Sequence, residues 1–236
     1  MDIIYPVRPG EVNEELRFSL RTLDTHYPDH GTIWIVGYRP SWLTGVEVIP
    51  GGNPTTNSRR NVYQNILTAC RHPDVSTEAV VFNDDFFLTE PIDSFPVAYR
   101  STLREHMHLP RLRTNPRSWW RESLSTTMVC LQALGYPDPL SYELHVPFPV
   151  NTGLMAETLE RFNEITPDNP PQWRSLYGNL NVTDAVQMQD SKVFRNTPIR
   201  RPFHSTTDLS WKHFRGGFAT RFPDPSRYER LAKALA

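Results

Sequence analysis

Apolar positions along the first third of the chain follow two periods. Ile3-Ile4-Tyr5 is a short apolar run closed by Pro6 and Pro9, and Thr32-Ile-Trp-Ile-Val-Gly37 is a second one bounded by glycines. Val46-Glu-Val-Ile49 ends at Pro50-Gly-Gly, and Glu78-Ala-Val-Val-Phe82 completes the set. Runs of this length between breakers read as buried strands. Between them, Leu16, Leu20 and Leu23 recur at helical spacing in a segment from Glu11 to Leu23 that opens on acids, and Asn57 to Cys70 reads as a second helix. Arg39 to Trp42 reads as a turn or a short helix. Strands separated by helices predict an α/β fold with a mostly parallel central sheet flanked by helices. Ligands of such sheets bind beyond the carboxyl ends of the strands.

The pattern changes after Pro91. Residues 95–121 read as a basic loop, Arg121 to Leu134 as a helix stopped by Gly135 and Pro137, and residues 141–150 as a strand or extended segment. Thr152 to Ile165 reads as a helix, Trp173 to Leu180 as mixed, and Asp224 to Leu235 as a terminal helix capped by Asp224 or Ser226. There is no internal repeat. A single domain is expected, in which residues 1–93 form the core half and residues 94–236 decorate it.

Composition narrows the picture. The 236 residues are 38% hydrophobic and 22% charged, enough apolar material for a core. A net charge of -1 excludes a surface devoted wholly to nucleic acid and leaves a local basic patch open. Lys192, Lys212 and Lys233 are the only lysines beside 22 arginines. Arginine suits planar phosphate and carboxylate groups, although a coding bias gives the same skew. Cys70 and Cys130 have no metal-like spacing and read as small apolar residues in helices, not as a disulfide scaffold. Neither a signal-peptide pattern nor a membrane-length apolar run appears, so a cytoplasmic location is expected.

The sharpest feature is Ala79-Val-Val-Phe-Asn-Asp-Asp-Phe-Phe-Leu88, in which Asn83, Asp84 and Asp85 stand between two apolar runs. Adjacent carboxylates in such a setting call for a positive partner. One solution is a hard divalent cation shared with substrate phosphate; the other is a strand-end turn whose side chains bond their own backbone.

The string FNDDFFLTEPID resembles the Asn-Asp-Asp-x-x-Leu signature of the stealth-type sugar-phosphate transferases and related glycosyltransferases of GT-A nucleotide-sugar fold. Arg17-Phe-Ser-Leu-Arg-Thr-Leu23 is similar to a helix of that group. Ile33 to Gly37, Pro40-Ser-Trp-Leu43 and Val46 to Pro50 follow in the same order, so the resemblance covers about residues 2–93. It implies a GT-A-like fold and a nucleotide-sugar donor, UDP-linked by family habit, with Mn²⁺ or Mg²⁺ as cofactor. Val7, Arg8 and Pro9 would lie near the nucleotide, Asn83 would join the donor-binding residues, Asp84 would contact the sugar or ribose, and Asp85 would be the principal metal ligand beside Asp84. The adjacent acids replace the spaced Asp-x-Asp of many such enzymes, which leaves the division of roles between the two open.

Other residues carry the remaining chemistry. Arg59, Arg60 and Asn61 open the second helix, where a diphosphate is well received, and Asn65 lies one turn on. Glu143 and His145 alternate in an extended stretch and so share one face, where they would form a general base. Asp184 and Asp190 are further base candidates, and Lys192 would neutralise the leaving diphosphate. His204 and His213 would complete a metal shell from the C-terminal half. Six arginines from Arg100 to Arg121, interleaved with Trp119 and Trp120, suit a phosphate backbone or a sugar face. The expected activity is metal-dependent transfer of a sugar to an acceptor hydroxyl on a saccharide, a protein or a hydroxymethylated DNA base, as some phage enzymes do. The alternatives are sugar-phosphate transfer and a catalytically silent sugar- or nucleic-acid-binding module. The near-neutral charge favours a saccharide or protein acceptor over DNA.

Overall fold

The computed structural model describes residues 1–52, 55, 57–191 and the strand Phe218–Ala219. Its central sheet has the order β3-β2-β1-β4-β9, where β1 is Asp2–Val7, β2 Ile33–Gly37, β3 Glu47–Pro50, β4 Glu78–Val81 and β9 Phe148–Asn151. The first four strands pair in parallel and β9 runs antiparallel to β4. Helix α1 (Glu14–His26) links β1 to β2, and α2 (Ser58–Cys70) links β3 to β4.

The two-residue period of the strands sorts their side chains into two cores. Ile3, Tyr5, Val7, Ile35 and Val80 face Leu16, Leu20 and Leu23 of α1. Ile4, Trp34, Val36, Ile49 and Val81 pack in the core that holds Tyr63, Ile66 and Leu67 of α2. Helices α6 (Thr152–Phe162) and α7 (Trp173–Asn181) join the second core through Met155, Leu159, Trp173 and Tyr177. At the amino end of the sheet, buried Asp2 accepts hydrogen bonds from Thr32 N, Trp34 Nε1 and Ser76 N. Burial raises its pKa, but these donors outweigh burial and hold it below the ordinary value.

Several element boundaries differ from the sequence reading. Helix α1 starts at Glu14, not Glu11, because Asn13 caps it, its side chain accepting from Leu16 N. Residues 95–121 are not a loop. After β5 (Phe87–Leu88) come β6 (Ala98–Tyr99), β7 (Ser101–Thr102), α3 (Leu103–Met107) and α4 (Pro110–Arg113), then α5 (Trp119–Ala133). A Thr102–Glu105 capping box starts α3 and Ser118 caps α5. Leu103, Leu112, Leu124 and Leu131 of this region form a third core with Phe162 and Leu176. The stretch 141–150, expected as a strand or extended segment, holds the ends of β8 (Leu140–Ser141) and β9 with an irregular segment between them. Two short strands complete the described chain: β10 (Val186–Gln187) pairs with β6, and β11 (Phe218–Ala219) pairs with β5. Cys70 and Cys130 are free thiols in α2 and α5. Among the described residues no helix is long and apolar enough to cross a membrane. The expected helix Asp224 to Leu235, together with Lys192, His204 and His213, lies outside the described residues.

Candidate active site

The strand order reverses between β1 and β4, and the segments following their carboxyl ends line one cavity of about 940 Å³. Val7, Arg8 and Pro9 enter it from β1, Gly37 and Tyr38 from β2, Gly51 and Gly52 from β3, and Asn83, Asp84 and Asp85 from β4. The opposite wall comes from Arg111, Trp120, Glu143, His145 and the 170–174 segment. Gly37 has φ +115°, and a Cβ there would run into the Val7 carbonyl and the Asn65 amide, so the strand ends approach closely only with glycine.

Packing presents the Asn83–Asp85 triplet. Phe82, Phe86, Phe87 and Leu88 are all fully buried, and Phe86 N bonds Asn83 O (3.2 Å). The apolar residues on both sides are thus anchored, and the three polar side chains are left at the cavity. The helix that resembled the transferase group fastens this turn from behind. Ser19 Oγ donates to Phe86 O (2.5 Å) and accepts from Tyr5 Oη (2.9 Å), while Leu88 N donates to Thr22 Oγ1 (3.1 Å). Asn13 Nδ2 donates to Asp84 Oδ2 (3.1 Å), which fixes that carboxylate. Arg17 of the same helix is structural: its guanidinium sits 4.6 Å over the Trp42 ring.

On the other wall Glu143 and His145 have different hydrogen-bond partners. Leu144 N bonds Tyr142 O (2.8 Å), a tight turn instead of extended alternation. Glu143 Oε1 is held by Ser175 N and Oγ, whereas His145 Nδ1 meets both oxygens of Asp190 at 2.9 and 3.0 Å. A carboxylate only accepts, so Nδ1 carries the proton and Nε2 is the basic nitrogen of the neutral ring. Asp190 also accepts from His145 N (3.0 Å) and from Arg100 Nη2 (3.2 Å). Burial raises its pKa, but the hydrogen bonds and charge of His145 and the Arg100 charge prevail and hold it at about 2. Asp190 is therefore a poor base and a firm anchor for His145.

The placement of the other expected residues is mixed. Arg8 lines the cavity with its side chain 73% exposed, 3.9 Å from Glu15. Arg60 is turned away, donating to Asn163 O (2.9 Å), and it is Arg59 that reaches the cavity, over the Trp120 ring at 5.9 Å. Asn61 spends its amide on the loop, accepting from Thr55 N and donating to Thr55 O. Of the six arginines from Arg100 to Arg121 only Arg111 lines the cavity; Arg100 is bound to Asp190 and Arg121 to Met107 O. Sequence reasoning missed Arg174, a cation on the buried face of α7, and the signal was a charge directly after Trp173 and one turn from Tyr177. Among the described residues no group of three His, Cys, Asp or Glu side chains gathers as a metal cluster. Asp84 and Asp85 supply two oxygen-donor groups at the cavity.

The sheet, with its cavity over the β1–β4 switch point, is of GT-A-like fold by its likeness to a solved structure. The galactosyltransferase LgtC, solved with donor and acceptor sugar analogues, superposes with a TM-score of 0.54 at 12% identity, over 100% of this chain and 95% of that one. An active-site mutant of LgtC gives 0.48 at 11% identity, over 99% of this chain and 96% of that one. No family model matches the chain, and no curated protein sequence matches it.

Proposed function

We propose that the chain is a glycosyltransferase that moves a sugar from a nucleotide-diphosphate donor, UDP-linked in this reading, to an acceptor hydroxyl. The observation that carries the proposal is the pairing, across one cavity, of the Asn83–Asp85 turn with the His145–Asp190 couple. The likeness of fold to LgtC, whose structure holds donor and acceptor sugar analogues, supports the same reading.

Val7, Arg8 and Pro9 would receive the nucleotide, and Asn83 and Asp84 the ribose or sugar. The donor chemistry of Asp85 and Asp84 fits Mn²⁺ or Mg²⁺, which take one or two carboxylates and leave other positions to phosphate and water. A cation held there would supply Lewis-acid stabilisation of charge on the departing diphosphate. His145 Nε2 would take the proton of the acceptor hydroxyl, while Asp190 holds the ring in the required tautomer and stabilises the imidazolium that forms. The inward use of Arg100 and Arg121 supports a saccharide or protein acceptor over DNA.

A thermal-shift screen of nucleotide sugars with and without Mn²⁺ tests the proposal. A ligand at about 100 times its Kd adds about 2.7 kcal/mol to the folded state. Product analysis follows: nucleoside diphosphate is expected, and nucleoside monophosphate would indicate sugar-phosphate transfer instead. Binding without any turnover would leave a silent sugar-binding module, and no binding by any nucleotide sugar would end the proposal.

A further inference from the structure

Arg174 stands in the first turn of α7 and lines the cavity while only 8% exposed. Its guanidinium lies 4.4 Å from the centre of the Trp173 ring and 5.8 Å from that of Phe86. Burial lowers its pKa, and the charges of Glu143, Asp85 and Asp190 act in the opposite direction. Yet among the described residues Nε and Nη2 have no hydrogen-bond partner. These two nitrogens form one edge of the guanidinium, the fork that receives two oxygens side by side. A buried donor without an acceptor is unfavourable, so an empty fork beside a cavity marks a place where a ligand supplies oxygens.

Glu143 is the neighbour that narrows the choice. It is 4% exposed, and Ser175 N (3.2 Å) and Oγ (2.9 Å) both donate to its Oε1. Burial pushes its carboxyl up, against the pull of Arg174 and Ser175. The buried Glu143 already sets a negative charge against this guanidinium, so a further anion is not what this corner lacks. What fits is a neutral group that accepts from the fork and donates to a carboxylate. Neighbouring hydroxyls do both.

We propose that Arg174 and Glu143 form the receptor for the hydroxyl groups of the transferred sugar and so set which sugar is accepted. Arg174 donates from Nε and Nη2 to two adjacent hydroxyl oxygens, and Glu143 accepts a hydroxyl hydrogen. The proposal rests on the reading of the cavity as a nucleotide-sugar site.

The test is calorimetric titration of UDP, UDP-glucose and UDP-galactose, with GDP and GDP-mannose alongside, in the presence of Mn²⁺. The full chain is compared with Arg174→Lys, Arg174→Met and Glu143→Gln, each checked for fold by circular dichroism. The wild type should bind a nucleotide sugar more tightly than the matching diphosphate. In the variants the diphosphate Kd should stay within about twofold, while the extra affinity from the sugar falls by about tenfold or more. Arg174→Lys keeps the charge and loses the fork, so it should fail like Arg174→Met. Equal loss of diphosphate and nucleotide-sugar affinity would assign Arg174 to the phosphates and overturn the proposal, as would an unchanged sugar increment. If Arg174→Met or Arg174→Lys does not fold, deoxy analogues of the tightest donor carry the test on the wild type. At least one missing hydroxyl must then weaken binding by about tenfold, and indifference to every hydroxyl overturns the assignment. If the wild type binds neither diphosphates nor nucleotide sugars, the underlying reading of the cavity falls with it; if it binds both equally, only the sugar receptor falls.

Discussion

Asp190→Asn measures how firmly the His145 couple is built. The carboxylate is buried, receives His145 Nδ1, His145 N and Arg100 Nη2, and is held at about 2 against an ordinary 3.8. One pKa unit is worth about 1.36 kcal/mol, so the ionised form stabilises the folded state by roughly 2 kcal/mol at neutral pH. The sign follows from a lowered folded pKa: this stability is present above the unfolded value and is lost as pH falls toward about 2. Asparagine keeps the shape and one acceptor but not the charge, and leaves Arg100, whose Nε lacks a partner among the described residues, with a weaker one. Urea denaturation at neutral pH should therefore show the variant destabilised by about 2 kcal/mol or somewhat more. Protonating the wild-type carboxyl makes it resemble the amide, so the gap should narrow by about 1 kcal/mol near pH 3. A gap that stays constant from neutral pH to about pH 3 would refute the electrostatic account, and so would a negligible gap at neutral pH.

Further outcomes follow from the same geometry. His145→Gln should retain donor binding and slow transfer to the acceptor by about 10²–10⁴-fold, the range of a lost general base; steady-state kinetics with unchanged transfer would remove His145 from that role. Asp85→Asn should keep the fold, since it lies in the turn after β4, and abolish any Mn²⁺-dependent gain in donor affinity; full activity in that variant with a chelator present would end the metal assignment. Ser19→Ala leaves Tyr5 Oη and Phe86 O short of a partner behind the acidic turn, and should cost about 1–3 kcal/mol in urea denaturation, partly recovered in Ser19→Ala with Tyr5→Phe.

Local pattern was sufficient for the strands and helices of the first half, because apolar runs such as Ile33 to Val36 and the Leu16–Leu20–Leu23 spacing reflect one burial demand each. The same logic located Asn83 to Asp85: residues flanked by side chains as apolar as Phe82, Phe86 and Phe87 are displayed wherever those neighbours are buried. The segment 95–121 was illegible because α3 and α4 have five and four residues, too short for helical periodicity to register, and their leucines find a core only against α5 and α7. At Glu143 and His145 alternation misled, since partners 32 and 45 residues away, Ser175 and Asp190, dictate where each side chain goes. Arg60 and Arg59 are adjacent and chemically identical, so only the position of Asn163 on a distant helix end decided which one faces the cavity. Arg174 obeys the same rule: its sequence neighbours announce burial, while the empty fork exists only because Phe86, Trp173 and Glu143 converge on it from three separate parts of the chain. Burial demands are written residue by residue along a sequence, whereas the partner of a buried charge is set by which elements the completed cores bring together.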